Sequence, residues 1–236
     1  SVHPGEHSFA IGTAGSATLV LQTVLPVLLA ADKPSTLRLE GGTHNPHAPP
    51  FDFLATTFLP IINRLGPTVT ATLDRRGFYP AGGGKFRVQV QTVEELERVE
   101  LVDRGRLVEV RGRAIVSSLP RHIAERELKV LAQELRLKKK QLDVVEETRS
   151  PGPGNVVVVE IETESVTEVV TAFGAKGVPA ERVAKSAARE ARRYIDAGVP
   201  VGPHLADQLL VPLAIGSGGC FTTTQLPDHT RTNIDV

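Results

Sequence analysis

Hydrophobic residues recur with helical and with strand spacing along the first hundred residues, and the two spacings predict a compact α/β unit. The predicted elements are a strand at His7–Gly12, a helix over residues 17–31, a strand at Thr36–Glu40, a helix at Phe51–Leu65 and strands at Thr68–Leu73 and Phe86–Gln91. Ser16 suits the cap position of the first helix, and Pro26 is expected to kink that helix or end its first half. Leu37 and Leu39 fall on one face of the second strand.

From about Asp103 the pattern changes to longer strands and charged, amphipathic helices. The predicted elements are a strand at Leu107–Val116, a helix at Pro120–Leu135, strands at Val156–Ile161 and Val166–Phe173, and a helix at Pro179–Ala197. With one further strand to which the pattern assigns no range, the order strand, helix, strand, strand, strand, helix resembles a thioredoxin-like core. A redox role is not expected, because the chain has no CxxC motif. The basic stretch RLKKKQ is interpreted as a solvent-exposed face.

The last segment repeats the layout of helix followed by strand. A leucine-rich helix begins near Leu205 and ends at a glycine cluster that starts at Gly216. Strands are predicted around Phe221 and from His229 to Val236. Because the chain stops inside a strand pattern, and because it contains no methionine even at position 1, we expect it to be a piece of a longer protein.

Composition limits the classes of function. The hydrophobic fraction of 41% and the charged fraction of 23% are ordinary for a soluble globular protein. Lys plus Arg (27) equals Asp plus Glu (27), so nucleic acid would have to bind through a local patch. The single cysteine, Cys220, excludes an internal disulfide and suits a reducing cytosol. The apolar run 17–31 is too short and too polar to span a membrane, and the first residues lack the pattern of a signal peptide.

The segment DHTRTNIDV carries one candidate nucleophile. In a strand, His229, Arg231 and Asn233 would share one face. One interpretation is a surface strand that shows polar residues. The other is a nucleophilic imidazole, because a neutral histidine nitrogen can attack phosphorus when a hydrogen bond holds its second nitrogen.

Four other segments each leave two interpretations open. In HLADQ, Asp207 and Gln208 either form an ordinary helix start or face a sugar or base. GTAGS is either a tight turn or a phosphate cradle, and it lacks the spacing of a P-loop. GGTHNPHAPP is a rigid loop unless further ligands join its two histidines around a metal. The loop with Arg75 is a solvated turn or a phosphate contact.

Several long segments, taken together, resemble the RNA 3′-terminal phosphate cyclase family. In chain order they are HSFAIGTAGSATLVLQTVLPVL, GGTHNPHAPPFDF, RRGFYPAGGG, PRHIAERE, GPGN, HLADQ and HTRTNI. The resemblance implies an α/β fold of repeated βαβαββ-type units, as in enolpyruvyl transferases and cyclases, with an inserted thioredoxin-like domain. Residues 1–102 would form one cyclase unit, 103–198 the inserted domain, and 199–236 part of a further unit.

The resemblance also implies a set of site residues. His229 matches the histidine that accepts AMP from ATP. Gln22, Pro49, Asp207 and Gln208 match the residues of the adenylate pocket. The residue before LADQ is commonly tyrosine in the family, and here it is His204, whose imidazole could replace the aromatic wall. Arg75 and Arg231 are candidates to hold substrate phosphates, from their charge and position. The family's EGGGQ-type motif, with its metal-binding glutamate, is absent, so no metal ligand is expected in this chain.

The chemistry implied by the resemblance is conversion of an RNA 3′-phosphate to a 2′,3′-cyclic phosphate. It would use ATP with Mg²⁺ or Mn²⁺ and pass through a covalent histidine–AMP and an RNA–ppA end. The expected partners are ATP and RNA with a 3′-phosphate, with no membrane, in the cytoplasm or, in a eukaryote, the nucleus. The alternatives are a non-catalytic cyclase-like protein of ribosome biogenesis, which would lack the nucleophilic histidine, and an enolpyruvyl transferase on a similar scaffold.

Overall fold

The computed structural model describes residues 3–226 and 228–235, apart from the side chains at 228, 229, 233 and 235. Within this part of the chain ten strands form three sheets. The strands are β1 (Gly5–Ala10), β2 (Ser35–Gly41), β3 (Thr68–Arg75), β4 (Gly84–Gln91), β5 (Val99–Leu101), β6 (Leu107–Ser117), β7 (Leu142–Glu147), β8 (Gly154–Thr163), β9 (Thr167–Phe173) and β10 (Gly219–Phe221). The main helices are α1 (Ala17–Leu29), α2 (Phe51–Phe53), α3 (Leu59–Ile62), α4 (Arg121–Leu135), α5 (Ala180–Ala197), α6 (Pro203–Ile215) and α7 (Asp228–Asp235).

The first sheet has the strand order β1-β2-β4-β3. β1 and β2 are parallel and are connected by α1, whereas β4 is antiparallel to both β2 and β3. The alternation predicted for these strands is present: Leu37 and Leu39 are buried on β2, and every second residue of β4 is buried. One face of the sheet therefore packs into the core, and the other carries charged side chains.

Helix α1 begins as predicted. The Ser16 side chain accepts a hydrogen bond from the backbone N–H of Leu19 at 3.1 Å, which satisfies one of the unpaired donors at the start of the helix. Of the two outcomes predicted for Pro26, the end of the first half of the helix is wrong, because the helix continues to Leu29, and the kink stays a prediction. A proline removes only one backbone bond from the ladder, and buried leucines on both sides of it, including Leu25 and Leu28, hold this helix against the core.

The predicted helix over residues 51–65 is a composite of several helical turns. α2 leads into a π-helical turn (Leu54–Phe58), and α3 leads into a 3₁₀ turn (Asn63–Leu65). Pro60 lies at the start of α3, where its missing N–H would break a regular ladder, and the wider π-helical turn before it accommodates the proline ring. Phe53, Leu54 and Phe58 are buried within this run.

The third sheet has the order β7-β6-β8-β9, with β6 and β7 parallel and β8 antiparallel to β6 and β9. α4 and α5 contact each other and cover one face. The predicted strands and helices of this region are present with bounds shifted by a few residues, and Gly198 ends α5 in the left-handed conformation at φ 68°. β7 lies where the sequence pattern assigned no range. Lys138, Lys139 and Lys140 are exposed, as predicted.

Buried side chains form two clusters. One lies between the third sheet and helices α4 and α5, and includes Leu131 and Tyr194. The larger one joins the first sheet, the 51–65 run and α6 to the opposite face of the third sheet, through residues such as Val156 and Val158. Both faces of the third sheet are therefore buried. None of the described helices combines the length and apolar character needed to cross a membrane.

The last described segment differs from its prediction. β10 is the strand predicted around Phe221, and it pairs in parallel with β5, for which no strand was predicted. The strand predicted from His229 to Val236 is wrong, because residues 228–235 form helix α7, which contacts α6. Alternating polar residues provide no buried face that would fix a strand, and Ile234 is exposed. A helix instead satisfies its backbone groups within the segment.

Candidate functional site

The GTAGS turn is covered by the loop over residues 42–50. The Gly42 N–H donates to Gly15 O at 2.8 Å, the Ala17 N–H donates to Gly42 O at 2.9 Å, and Asn45 Nδ2 donates to Ala14 O at 3.1 Å. A Cβ atom at Gly42 would lie 2.3 Å from Ala14 O, so the two backbones approach too closely for a side chain. This packing favours the tight-turn interpretation of GTAGS, with its backbone bonded to the neighbouring loop.

A chain of hydrogen bonds then attaches Pro49 to α1. Thr18 Oγ1 donates to Pro49 O at 2.7 Å, so its other neighbour, Ser16 Oγ at 2.7 Å, acts as donor to it. Thr18 is buried, and the carbonyl of Pro49 thus has a fixed place beside the first turn of the helix.

We expect Thr18→Val to lower the free energy of unfolding by about 1–3 kcal/mol, because the change keeps the shape but leaves the Pro49 carbonyl without its donor. Urea denaturation would measure the change. The matched control is Thr23→Val on the exposed face of the same helix, where the hydroxyl donates to Leu19 O, with an expected effect within about 0.5 kcal/mol. Equal effects of the two variants would contradict a special role for Thr18.

Gln22 lies one turn beyond Thr18 on α1 and meets α6. Its Nε2 donates a hydrogen bond to Oε1 of Gln208, 186 residues away in the sequence, and both side chains are half-buried. Three residues predicted for one pocket, Gln22, Pro49 and Gln208, are thus connected through the first two turns of α1. Asp207 precedes Gln208 and is also half-buried.

His204 occupies the first turn of α6, and the imidazole is mostly exposed. Residues 204, 207 and 208 stand at i, i+3 and i+4, so they project from neighbouring positions on one side of the helix. The His204 side chain is 71% exposed, and its Nε2 lies 3.8 Å from Glu190 Oε1 on α5. Its predicted role as an aromatic wall remains a prediction.

The predicted nucleophile His229 belongs to α7, and its side chain lies outside the described residues. The prediction that it shares one face with Arg231 is wrong, because residues two apart in a helix lie about 200° apart around the axis. Arg231 is exposed. Arg75 is partly exposed, and its Nε donates to Gly83 O at 2.8 Å within its own loop, while its NH2 group lies 3.8 Å from Glu40 Oε1.

Comparison with known proteins identifies the family. The sequence model described as RNA 3′-terminal phosphate cyclase matches residues 1–236. The chain belongs to the RNA 3′-terminal phosphate cyclase family. Curated relatives that carry this name include proteins from Koribacter versatilis, at 51% identity over 235 residues, from Ralstonia nicotianae, at 47% over 236, and from Pseudomonas fluorescens, at 46% over 235.

Each alignment covers all of this chain but a smaller share of the relative. The covered shares are 66% for the Koribacter protein, 67% for the Ralstonia protein and 68% for the Pseudomonas protein. The chain therefore spans about two thirds of the length of these cyclase relatives.

One buried cluster, in the same loop as Pro49, was missed by reasoning from the sequence. His44 Nε2 donates to Asp52 Oδ2 at 2.8 Å, and His44 Nδ1 lies within hydrogen-bonding distance, 2.9 Å, of Thr43 Oγ1, which accepts from the Gly77 N–H at 2.9 Å. Arg113 of β6 donates to the other Asp52 oxygen at 3.1 Å. The cluster thus connects the 42–50 loop to the third sheet.

The electrostatics of this cluster are dominated by Asp52. Burial raises the pKa of its carboxyl group, but the hydrogen bond from His44 and the charges of His44, Arg113 and Arg76 outweigh burial and hold the pKa well below its usual range. Asp52 is therefore ionised at neutral pH. The eight-residue separation of His44 and Asp52 gave no recognisable motif.

The two histidines of GGTHNPHAPP do not meet. His44 is buried with both ring nitrogens engaged, whereas His47 is exposed. Among the residues whose side chains are described, no three His, Cys, Asp or Glu side chains come together in a way that could hold a metal ion. The hydrogen bonds that hold the GGTHNPHAPP segment to α1, to the GTAGS turn and to Asp52 favour the first of its two interpretations, a rigid loop.

Proposed function

We propose that this chain carries the nucleotide-binding and nucleophilic part of an ATP-dependent RNA 3′-phosphate cyclase. The observation that supports this proposal best is the hydrogen bond between Gln22 and Gln208. Two residues that the family resemblance assigns to one adenylate pocket are in direct contact, although they come from opposite ends of the chain. Family membership supports the class of reaction.

The residues of this pocket suit the adenosine part of ATP. A glutamine amide has both donors and acceptors, so each side chain of the Gln22–Gln208 pair can bond a base edge in place of its partner. The Asp207 carboxylate can accept hydrogen bonds from ribose hydroxyls. A metal cage does not fit the described residues, so we assign no step to a metal ion held by this chain.

The first step would be nucleophilic attack by the His229 imidazole on the α-phosphorus of ATP. A P–N bond forms, the bond to the β-phosphate oxygen breaks, pyrophosphate leaves, and the imidazole loses its proton to solvent. α7, which carries His229, contacts α6, which carries Asp207 and Gln208. The nucleophile therefore belongs to an element packed beside the proposed pocket.

The second and third steps would act on RNA. A 3′-phosphate oxygen attacks the phosphorus of the AMP group, the P–N bond breaks, and the histidine is regenerated. The neighbouring 2′-hydroxyl then attacks the terminal phosphate, loses its proton, and expels AMP as the cyclic ester closes. This last step is intramolecular, so proximity supplies much of its rate. Arg231 is the better candidate for a phosphate contact than Arg75, because the Arg75 side chain already donates a hydrogen bond to the Gly83 carbonyl.

Transfer of label from ATP to the protein tests the proposal. The chain is incubated with ATP labelled at the α-phosphate and Mg²⁺, denatured, and assayed for acid-labile label on the protein. We expect labelling that His229→Ala abolishes. Gln22→Leu should retain the histidine but require a higher ATP concentration for half-maximal labelling, by about tenfold, because a polar contact to the nucleotide is lost.

A matched control is His122→Ala, at an exposed position on α4, which should label like the unchanged chain. Labelling that persists in His229→Ala would overturn the assignment of the nucleophile. Absence of label in the unchanged chain would favour the non-catalytic branch of the family if a protein extended to the full length of the relatives were also silent.

A further inference from the structure

A cavity of about 780 Å³ lies between the first sheet with its loops and the third sheet. This volume is within the range of sites that bind small molecules or parts of larger ligands. One wall consists of His44, Pro46 and the segment 78–80, and the other comes from α4, α5 and the ends of β8 and β9. The lining is predominantly apolar. The proposed chemistry at Gln22, Gln208 and His229 makes no use of this cavity.

Four of the seven segments through which the chain resembles its family contribute to this lining. They are GGTHNPHAPPFDF with His44 and Pro46, RRGFYPAGGG with Phe78, Tyr79 and Pro80, PRHIAERE with Ile123, and GPGN with Pro153, Gly154 and Asn155. The proposed nucleotide pocket accounts for only the first of them, through Pro49. The proposed nucleotide pocket therefore does not explain what the other three segments do where they line this cavity.

The most informative of these features is an exposed aromatic ring that lines the same cavity as a cation. Tyr79 is 62% exposed, although aromatic side chains are normally buried. Among the described side chains it is the one aromatic ring that is both large and exposed. Lys176, also exposed, lies on the rim of the same cavity. An aromatic ring next to a positive charge is the combination with which proteins hold a base and its phosphate in single-stranded nucleic acid.

Three polar side-chain atoms of the walls are engaged within the protein. Both ring nitrogens of His44 have partners, and Asn155 Nδ2 donates to Glu127 Oε2 at 2.9 Å and to Ile115 O at 3.3 Å. These three nitrogens are therefore already used within the protein and are not spare groups for reading the edge of a base. A ligand would be held by stacking and charge, which tolerate any base.

The cavity is close to the proposed nucleotide pocket. Pro46 lines the cavity, and three residues later Pro49 bonds α1. Three extended residues span at most about 11 Å, so the two places are separated by no more than one loop segment. An RNA strand whose 3′ end lies at the nucleotide pocket can therefore reach the cavity within a few nucleotides.

We propose that this cavity binds a nucleobase of the RNA strand, just upstream of its 3′-phosphate end, with the base stacked on Tyr79 and the adjoining phosphate next to Lys176. The inference rests on the proposed function, since it takes RNA as the substrate. It adds a subsite that holds the strand while its end reacts. The subsite shows little preference among bases, because stacking and charge tolerate any base.

Fluorescence of a short RNA tests this inference. The probe is a hexanucleotide that ends in a 3′-phosphate and carries 2-aminopurine as the second base from that end, because stacking quenches this base. We expect quenching on addition of the 236-residue chain. Tyr79→Ala should abolish the quenching and weaken RNA binding about tenfold, whereas Tyr79→Phe should retain both. Lys176→Ala should reduce the slope of log binding constant against log salt concentration by about one, which is the loss of one phosphate contact.

The matched control is Val108→Ala. Val108 is an exposed apolar residue near the opposite end of β6 from the cavity, and its loss should leave the quenching unchanged. No quenching by the unchanged chain, or equal RNA binding by Tyr79→Ala, would overturn the subsite. Transfer of AMP label from ATP, measured without RNA, should be normal in Tyr79→Ala, so a failure of the subsite is distinguishable from a failure of the proposed chemistry.

Discussion

Replacement of Asp52 by alanine is expected to lower the free energy of unfolding by about 3 kcal/mol or more. Asp52 is almost fully buried and accepts hydrogen bonds from His44 and Arg113. Its loss leaves the Nε2–H group of His44 without an acceptor in a buried position. Arg113 keeps a second carboxylate partner, Glu160, so the larger part of the cost comes from the histidine and from the space left behind.

Urea denaturation near pH 7 measures this change, with Asp74→Ala as the control. Asp74 also pairs with an arginine, Arg87 at 2.9 Å, but both side chains are substantially exposed, and the expected loss is below about 1 kcal/mol. Because the folded pKa of Asp52 is lowered, its contribution is present at neutral pH and disappears as the pH falls below its unfolded value of about 3.9. A loss below 1 kcal/mol at pH 7 would contradict the buried-cluster interpretation.

Local pattern was sufficient to predict most of the fold. The alternation in β4 and the leucines of β2 required only the two-residue period of a strand, and Ser16 and Gly198 marked helix ends by local bonding and backbone geometry. β5 was missed because three residues carry too little periodicity. α7 was predicted as a strand because an alternation of polar residues resembles one, although no buried face requires it.

The site depended on information that no local pattern contains. Gln22 and Gln208 meet across 186 residues, and only the family resemblance placed them in one pocket. The resemblance said nothing about Thr18, His44 or Asp52, whose roles depend on contacts between distant segments. Their polar character in apolar surroundings was the one signal available, since buried polar groups require partners.

The second large effect that we expect is a change of the unfolding free energy with pH, caused by Glu168. Glu168 on β9 is buried, and burial raises the pKa of its carboxyl group to about 8. A backbone hydrogen bond from Gly202 lowers this pKa, and the nearby charge of Glu190 raises it further. One carboxylate oxygen of Glu168 has no hydrogen-bond partner, which is consistent with a group that is neutral at pH 7.

The direction of the effect follows from proton binding. Between the unfolded pKa, near 4.3, and the folded value, the folded chain keeps a proton on Glu168 that the unfolded chain releases. Stability should therefore fall as the pH rises from about 5 to 8 and level off above that. At about 1.4 kcal/mol for each pH unit between the two pKa values, the loss is on the order of 3–5 kcal/mol.

Urea denaturation of the unchanged chain and of Glu168→Gln at pH 5, 7 and 9 measures this loss. The variant cannot ionise, so its stability should change less over this range. Glu127→Gln is the matched comparison, because Glu127 is also buried and its pKa is raised to about 7, mainly by burial. The difference in unfolding free energy between Glu127→Gln and the unchanged chain should reach its final value at a lower pH than the difference for Glu168→Gln. Parallel pH curves for the unchanged chain and Glu168→Gln would show that Glu168 does not bind an extra proton in the folded state.

The position of Glu168 gives this titration a consequence for the proposed site. Gly202, whose N–H bonds the Glu168 carboxyl group, is the cap residue of α6, and α6 carries Asp207 and Gln208. Charge that develops on Glu168 at high pH therefore lies buried at the start of the helix that carries two residues of the proposed nucleotide pocket. If the pH-dependent loss of stability follows Glu168, the start of α6 is a place where a rising pH weakens the structure.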